Sequence, residues 1–248
     1  SRRRHTKIPK RDWSSDVCSS DLPARDFFVA CYLVVHPRGT LMWDVGVIPD
    51  DSFPPAGAPA VQGSFSSART LRSQMAEAGY RASDVTYLAL SHYHADHSAN
   101  AADFAGSTWL VRPVEHDAVF EEKAPPLARR EHFAALRATK TVALTGDEYD
   151  VFGDGTVVIK SAPGHTPGHQ VLLVKLAKTG PVLIAGDLYH YPEERTLHRF
   201  PTFEFNVDQS AASRAMIDRY VTSTGAQLWI EHDLAQNATL KKAPAYFD

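Results

Sequence analysis

The segment LALSHYHADHSAN places His92, His94, Asp96 and His97 in a His-x-His-x-Asp-His cluster directly after an apolar, strand-like run at residues 85–90. Imidazole nitrogens and a carboxylate are the donors that divalent metals of the zinc type take. In an extended segment His92 and His94 share a face, because side chains alternate with period two, so both rings can reach one ion. A turn into helix at His97 would carry Asp96 and His97 to the far side of that ion, where a second ion could sit. With 12 histidines in 248 residues, this spacing would be a rare accident in an ordinary polar loop.

Two ions need more ligands than one loop supplies, and further candidates recur at the ends of apolar runs. The segment SAPGHTPGHQ lies between strand-like stretches at 156–160 and 171–176, which places His169 in a tight Gly/Pro loop. Asp187 follows the apolar run 181–185 directly, and His232 comes just after 228–230.

Taken together, HxHxDH, the GHTPGH loop, a Gly-Asp after a strand and a late His resemble the metallo-β-lactamase superfamily from about residue 27 to the C-terminus. MWDVG, with Asp44 and Gly46, is similar to that superfamily's early Asp-x-Gly turn. The resemblance implies that His92, His94 and His169 hold one zinc, that Asp96, His97 and His232 hold the other, and that Asp187 bridges them. It leaves His165 at a non-ligand position. Two Zn(2+) per chain are the implied cofactor, with iron, manganese or cobalt open on sequence grounds. Asp44 reads equally well as a group fixing a ligand imidazole or as a turn residue.

These residues can meet only if regular elements hold them in place. A strand at 27–36, a Pro-Arg-Gly turn and a strand at 40–44 form a hairpin by spacing and turn chemistry. Residues 47–63 read as a Pro/Gly/Ala-rich loop, and 67–78 as a helix capped by Gly79. Strands at 85–90 and 109–111 flank the metal loop, with a helix near 99–104 between them. Short helices are expected at 113–122 and 131–139, and strands at 140–144, 149–152, 156–160, 171–176 and 181–185. The segment 208–222 reads as an amphipathic helix with Ala212, Met216 and Tyr220 on one face, before a last strand at 227–230. Hairpins joined by helices in this order suit an α/β architecture of two mixed sheets flanked by helices, the αβ/βα four-layer sandwich that the resemblance also implies.

The first 22 residues read differently from the rest. DWSSDVCSSDL resembles a translated sequencing adapter, so residues 1–22 are expected to be artefactual or disordered and 23–248 to form a single hydrolase domain. Those 22 residues hold six of the 26 basic and three of the 29 acidic side chains, leaving a net charge of −6 for the remainder. That balance argues against nucleic acid or an anionic membrane as partner. With Cys18 set aside, Cys31 stands alone in an apolar run, so no disulfide framework exists. No apolar run approaches a membrane span. A soluble protein is expected, cytoplasmic or periplasmic/secreted, with a homodimer compatible with the sequence.

A dizinc centre activates water, so hydrolysis of a small molecule is the default reaction. Within the resemblance, SHYHADHS, APGHTPGHQ and GDLYH look most like the N-acyl homoserine lactonase group, with Asp96 handling the proton. Another hydrolase of the same fold, acting on a β-lactam, an ester or thioester, or a phosphotriester, and a non-catalytic metal-binding member are the alternatives. The homoserine lactonases carry a Tyr three residues after the bridging Asp, where this chain has His190 flanked by Tyr189 and Tyr191. His190 is therefore expected to offer a neutral ring N–H to the developing oxyanion, with Tyr189 beside the substrate. Phe200, Phe203 and Phe205 could line an acyl-chain groove or be core residues of an alternating strand.

Overall fold

The computed structural model describes residues 26–55 and 58–248, so the adapter-like segment 1–22 lies outside the described residues. Among the described residues seven strands come first: β1 (Tyr32–His36), β2 (Gly39–Trp43), β3 (Ala60–Gln62), β4 (Phe65–Ser67), β5 (Tyr87–Ala89), β6 (Thr108–Val111) and β7 (Thr141–Ala143). Five follow: β8 (Glu148–Asp150), β9 (Val157–Ser161), β10 (Gln170–Leu176), β11 (Gly180–Ile184) and β12 (Gln227–Trp229). The helices are α1 (Leu71–Glu77), α2 (Ala95–Ser98), α3 (Pro113–Phe120), α4 (Arg130–Phe133), α5 (Pro192–Leu197), α6 (Val207–Thr224) and α7 (Leu234–Thr239).

Two mixed five-stranded sheets form, in the orders β1-β2-β5-β6-β7 and β12-β11-β10-β9-β8. Period-two alternation sorts their side chains into layers. Leu41, Trp43, Ala89 and Leu110 of the first sheet meet Ile159, Leu172, Val174, Val182, Ile184 and Trp229 of the second. The opposite face of the first sheet, Met42, Leu88 and Trp109, packs on Met75, Phe104, Val119 and Phe133 from the helical side. On the far face of the second sheet, Val171 and Leu183 pack with Ile217 of α6. The result is the expected αβ/βα four-layer sandwich.

Strand direction then decides where the chemistry sits. Strands β2, β5 and β6 run parallel, as do β11 and β12, so the carboxyl ends within each set gather on one edge. Strand β10 is antiparallel to β11, and its first residue, Gln170, lies near that edge. Ligand sites in such sheets form outside the carboxyl ends of parallel strands. Asp44 follows β2, His92 follows β5, Asp187 follows β11 and His232 follows β12.

Several local expectations shift. The first strand starts at Tyr32 rather than residue 27, and the loop 47–63 contains a 3-10 turn (Asp50–Ser52) and half of the β3–β4 hairpin. Helix α1 begins only at Leu71, where the Thr70 side chain accepts the amide of Ser73. Helix α6 buries Ser210, Ser213, Arg214 and Ile217, while Met216 is exposed. The buried face is rotated because Gly164 abuts the start of α6, where an added Cβ would stand 2.2 Å from the Ser210 nitrogen. Among the described residues no helix is long and apolar enough to cross a membrane.

Candidate metal centre

The first ligand-bearing loop leaves β5 and enters α2, a single turn that starts at Ala95 with His94 at its N-cap. The helix thus begins two residues before the expected turn at His97. The Ala95 amide donates to the Leu127 carbonyl at 2.9 Å, so the 121–129 linker braces the outside of this loop. A buried carboxyl group fastens the inside: Glu115 of α3 accepts the amides of Tyr93 at 2.9 Å and Gly168 at 2.8 Å, joining the histidine cluster to the GHTPGH loop. Gly168 is required for that approach, since a Cβ there would lie 2.6 Å from Glu115 Cγ.

Of four groups of donor atoms among the described residues, two between them carry the expected metal loop. His92, His94, His165 and Asp187 offer atoms within 4.8 Å of one another, and so do Asp96, His97 and His232. Asp187 faces both sets. Its Oδ2 lies 3.6 Å from His92 Nε2 and 3.2 Å from His165 Nε2, and its Oδ1 lies 3.0 Å from the Nε2 atoms of both His97 and His232.

One assignment has to be corrected. His165, not His169, joins the donor group. His169 points Nδ1 at the Ala162 carbonyl, 3.0 Å away, and its Nε2 accepts the main-chain N–H of Asp187 at 3.0 Å, so both ring nitrogens are occupied by protein. His169 is set against the start of β10 beneath the loop, whereas His165 sits at the loop's turn and projects inward. The usable signal was position within the loop, because the residue adjoining a buried strand is drawn into the sheet.

The inward-facing rings are held from outside. His92 Nδ1 meets Ser91 Oγ at 3.0 Å, His97 Nδ1 meets Asp44 Oδ2 at 2.9 Å, and His232 Nδ1 meets the Phe28 carbonyl at 2.8 Å. His165 Nδ1 lies 3.5 Å from Glu204 Oε1. Outer groups of this kind fix the ring orientation and leave Nε2 of His92, His97 and His232 for a metal, whereas His165 Nε2 meets His94 Nδ1 at 3.0 Å, two donors side by side. Asp44 is therefore an orienting group, and it also accepts the Ser91 amide at 2.7 Å. Sequence reasoning missed Glu231, whose carboxylate accepts Trp43 Nε1–H at 3.1 Å and lies 3.5 Å from His97 Nδ1. An acid next to a candidate ligand at a buried strand end was the available signal. Glu115, Glu194 and Glu204 were missed as well.

The residues expected at the substrate divide. Tyr189 is turned away: it is 1% exposed, packs with Ile217, and its hydroxyl donates to Asp218 Oδ2 at 3.0 Å. The expected substrate contact of Tyr189 is not available, because extended backbone at that residue sends successive side chains to opposite sides. His190 faces the centre, with Nε2 3.2 Å from Asp187 Oδ2. Phe203 packs edge-on against both His165 and His190 at 5.5 Å. Phe200 instead lies under the Arg214 guanidinium at 4.2 Å, and Phe205 is 62% exposed. These phenylalanines lie outside any strand.

Electrostatics divide the donor set: His92 and His94 are held neutral, whereas carboxylates raise His97, His165 and His190 against their burial. Burial holds His92 and His94 well below the ordinary histidine range, the neutral form that binds metal. Burial opposes charge on Asp187, yet the surrounding His232, His97, His92 and His190 hold it well below the usual carboxylate range. Burial also works against a charged His97, but Asp187, Asp44 and Asp96 lift it well above its ordinary value. Burial, reinforced by Asp44, pushes Glu231 far up. The Nε2 atoms of His92, His97 and His190 and Asp187 Oδ1 are buried with no hydrogen-bond partner among the described residues. Buried polar atoms are rarely left so, and a cation at this place would satisfy them together. The residues fit a metal centre.

A family model described as the metallo-β-lactamase superfamily matches residues 24–224. An N-acyl homoserine lactonase, AttM, of Azorhizobium caulinodans is 29% identical over 229 residues, covering 89% of this chain and 87% of the relative. The N-acyl homoserine lactonase AiiA of Bacillus thuringiensis subsp. kurstaki is 25% identical over 88% of this chain and 86% of its own length. A solved N-acyl homoserine lactone hydrolase with N-hexanoyl-L-homoserine at its metal centre shares the fold with a TM-score of 0.76, at 22% identity over 94% of this chain and 92% of that one. This chain belongs to the metallo-β-lactamase superfamily.

Proposed function

We propose that this chain is a metal-dependent hydrolase that opens the lactone ring of N-acyl homoserine lactones. The observation that carries the reading is the Asp187 carboxylate, turned with one oxygen toward each of two imidazole sets. The lactonases among its relatives support the substrate class.

In this reading His92, His94, His165 and Asp187 would hold one ion and Asp96, His97, His232 and Asp187 a second. Zinc is the metal that best suits the nitrogen and carboxylate donors. Bound there, the ions would supply Lewis acidity, activating water and polarising the ester carbonyl. The chain's own residues do the remainder. Asp96 has the most exposed side chain of the set, at 18%, which places a carboxylate where it can take a proton from the attacking water and return it to the departing alkoxide. Phe203 lays an apolar edge beside His165 and His190, a wall against which an acyl chain can lie.

The test is a steady-state assay of purified zinc-loaded protein against N-acyl homoserine lactones, β-lactams, thioesters and phosphotriesters. The lactones should give the highest kcat/KM. Lactone hydrolysis no faster than in buffer, by protein with full metal content, would sink the reading.

A further inference from the structure

His190 follows the pattern of the metal-facing imidazoles, although no sequence motif marks it as one of them. It is buried, at 6% exposure, and its Nε2, Asp187 and His232 offer atoms within 4.8 Å of one another. Its ring stacks on that of His232, with centroids 5.3 Å apart and planes 13° apart, and its Nε2 stands 3.2 Å from Asp187 Oδ2 while that of His232 stands 3.0 Å from Oδ1. Neither ring nitrogen has a hydrogen-bond partner among the described residues, and for Nε2 this matches His92 and His97.

The outer side of the ring is served by a carboxylate. Glu194 of α5 lies with Oε1 3.4 Å from His190 Nδ1, while its Oε2 accepts the His190 main-chain N–H at 3.2 Å. Arg214 of α6 fixes Glu194 in turn, donating to the same Oε2 at 2.8 Å. Arg214 also donates to the Leu188 carbonyl at 2.7 Å, and its guanidinium lies over the rings of Tyr189 and Phe200. One planar cation therefore holds both the backbone before His190 and the carboxylate behind it, a task suited to the rigid fork of arginine.

Resting on the dinuclear reading above, we propose that His190 is itself a metal ligand of this chain, aimed by Glu194 and Arg214 as positioning residues. A neutral imidazole with its proton on Nδ1, the nitrogen that faces Glu194, carries a lone pair on Nε2, and a lone pair binds a cation but cannot donate to an oxyanion. The role expected from the sequence, a ring N–H at the substrate, is replaced by coordination. Orienting carboxylates of this type raise ligand basicity, and their loss weakens metal binding about 10- to 100-fold.

The experiment is stepwise titration of the metal-free full chain with Zn(2+), and with Co(2+) followed by visible absorption. His190→Phe should leave the tighter ion bound as in the unsubstituted chain, weaken the other by at least about tenfold and change its Co(2+) band. Glu194→Gln, which keeps the imidazole, should weaken the same ion by about 10- to 100-fold. Unchanged affinities and an unchanged Co(2+) spectrum in His190→Phe would overturn the proposal. If that variant folds poorly, unchanged second-ion affinity in Glu194→Gln overturns it equally. Failure of the dinuclear reading looks different: the unsubstituted chain would then take up fewer than two ions.

Discussion

His169 Nε2 accepts the main-chain N–H of Asp187 at 3.0 Å, so the histidine nearest β10 orients the central carboxylate from behind. Gly186 makes this approach feasible, since a Cβ there would stand 2.8 Å from that nitrogen. The two histidines of the GHTPGH loop therefore predict different losses. His165→Ala should remove one ion's worth of zinc by elemental analysis. His169→Ala should retain both ions with affinity lowered about 10- to 100-fold, as when an outer partner is lost. Equal metal loss in the two variants would contradict the division.

Tyr189→Phe tests the other reassigned residue. The substitution removes the hydroxyl that donates to Asp218 and touches nothing in the donor cluster. It should cost about 1 kcal/mol of stability, and kcat and metal content should stay unchanged. A fall in kcat of tenfold or more with intact stability would return Tyr189 to the site.

Much of this site could be read from spacing, and the reasons are local. His92 and His94 fall together because extended residues alternate, and Asp187 and His232 sit at strand ends that parallel pairing brings to one edge. What could not be read depends on tertiary approach. Glu115 reaches the loops from α3, and Glu194 and Arg214 meet across two helices. No periodicity encodes such meetings. The α6 face was misjudged for the same reason: apolar Met216 lost the buried side to Ser210 and Ser213 because the Gly164 backbone packs there.

Asp44 holds the most consequential outer position. It binds His97 Nδ1 at 2.9 Å and the Ser91 hydroxyl at 2.8 Å, at a left-handed backbone angle of φ 53°. Asp44→Asn keeps the shape but replaces one acceptor oxygen by a donor, which opposes the His97 Nδ1–H. Zinc affinity should fall about 10- to 100-fold in an equilibrium titration. Affinity equal to that of the unsubstituted chain would show that Glu231 alone orients His97.

Glu115 gives the chain a pH-dependent term of defined sign. Burial pushes its carboxyl up to about 7, against hydrogen bonds from Thr166, Gly168 and Tyr93 and the charge of His165 that pull it down. The folded chain therefore keeps the proton between the ordinary value of 4.5 and about 7, where the unfolded chain has released it. The stabilisation tied to that proton is complete below pH 4.5 and is lost as pH rises through about 7. Its full span is on the order of 3 kcal/mol. Glu115→Gln removes the titration and keeps an acceptor oxygen for only one of the two amides, since Tyr93 and Gly168 bond separate oxygens of Glu115; that loss is the same at every pH and cancels from the pH dependence. Denaturant unfolding of both chains at matched metal loading should therefore show the native residue's advantage over Gln to be larger at pH 5 than at pH 8. An advantage that is constant or grows toward pH 8 would mean that Glu115 is ionised in the fold and serves its two amides as a carboxylate throughout.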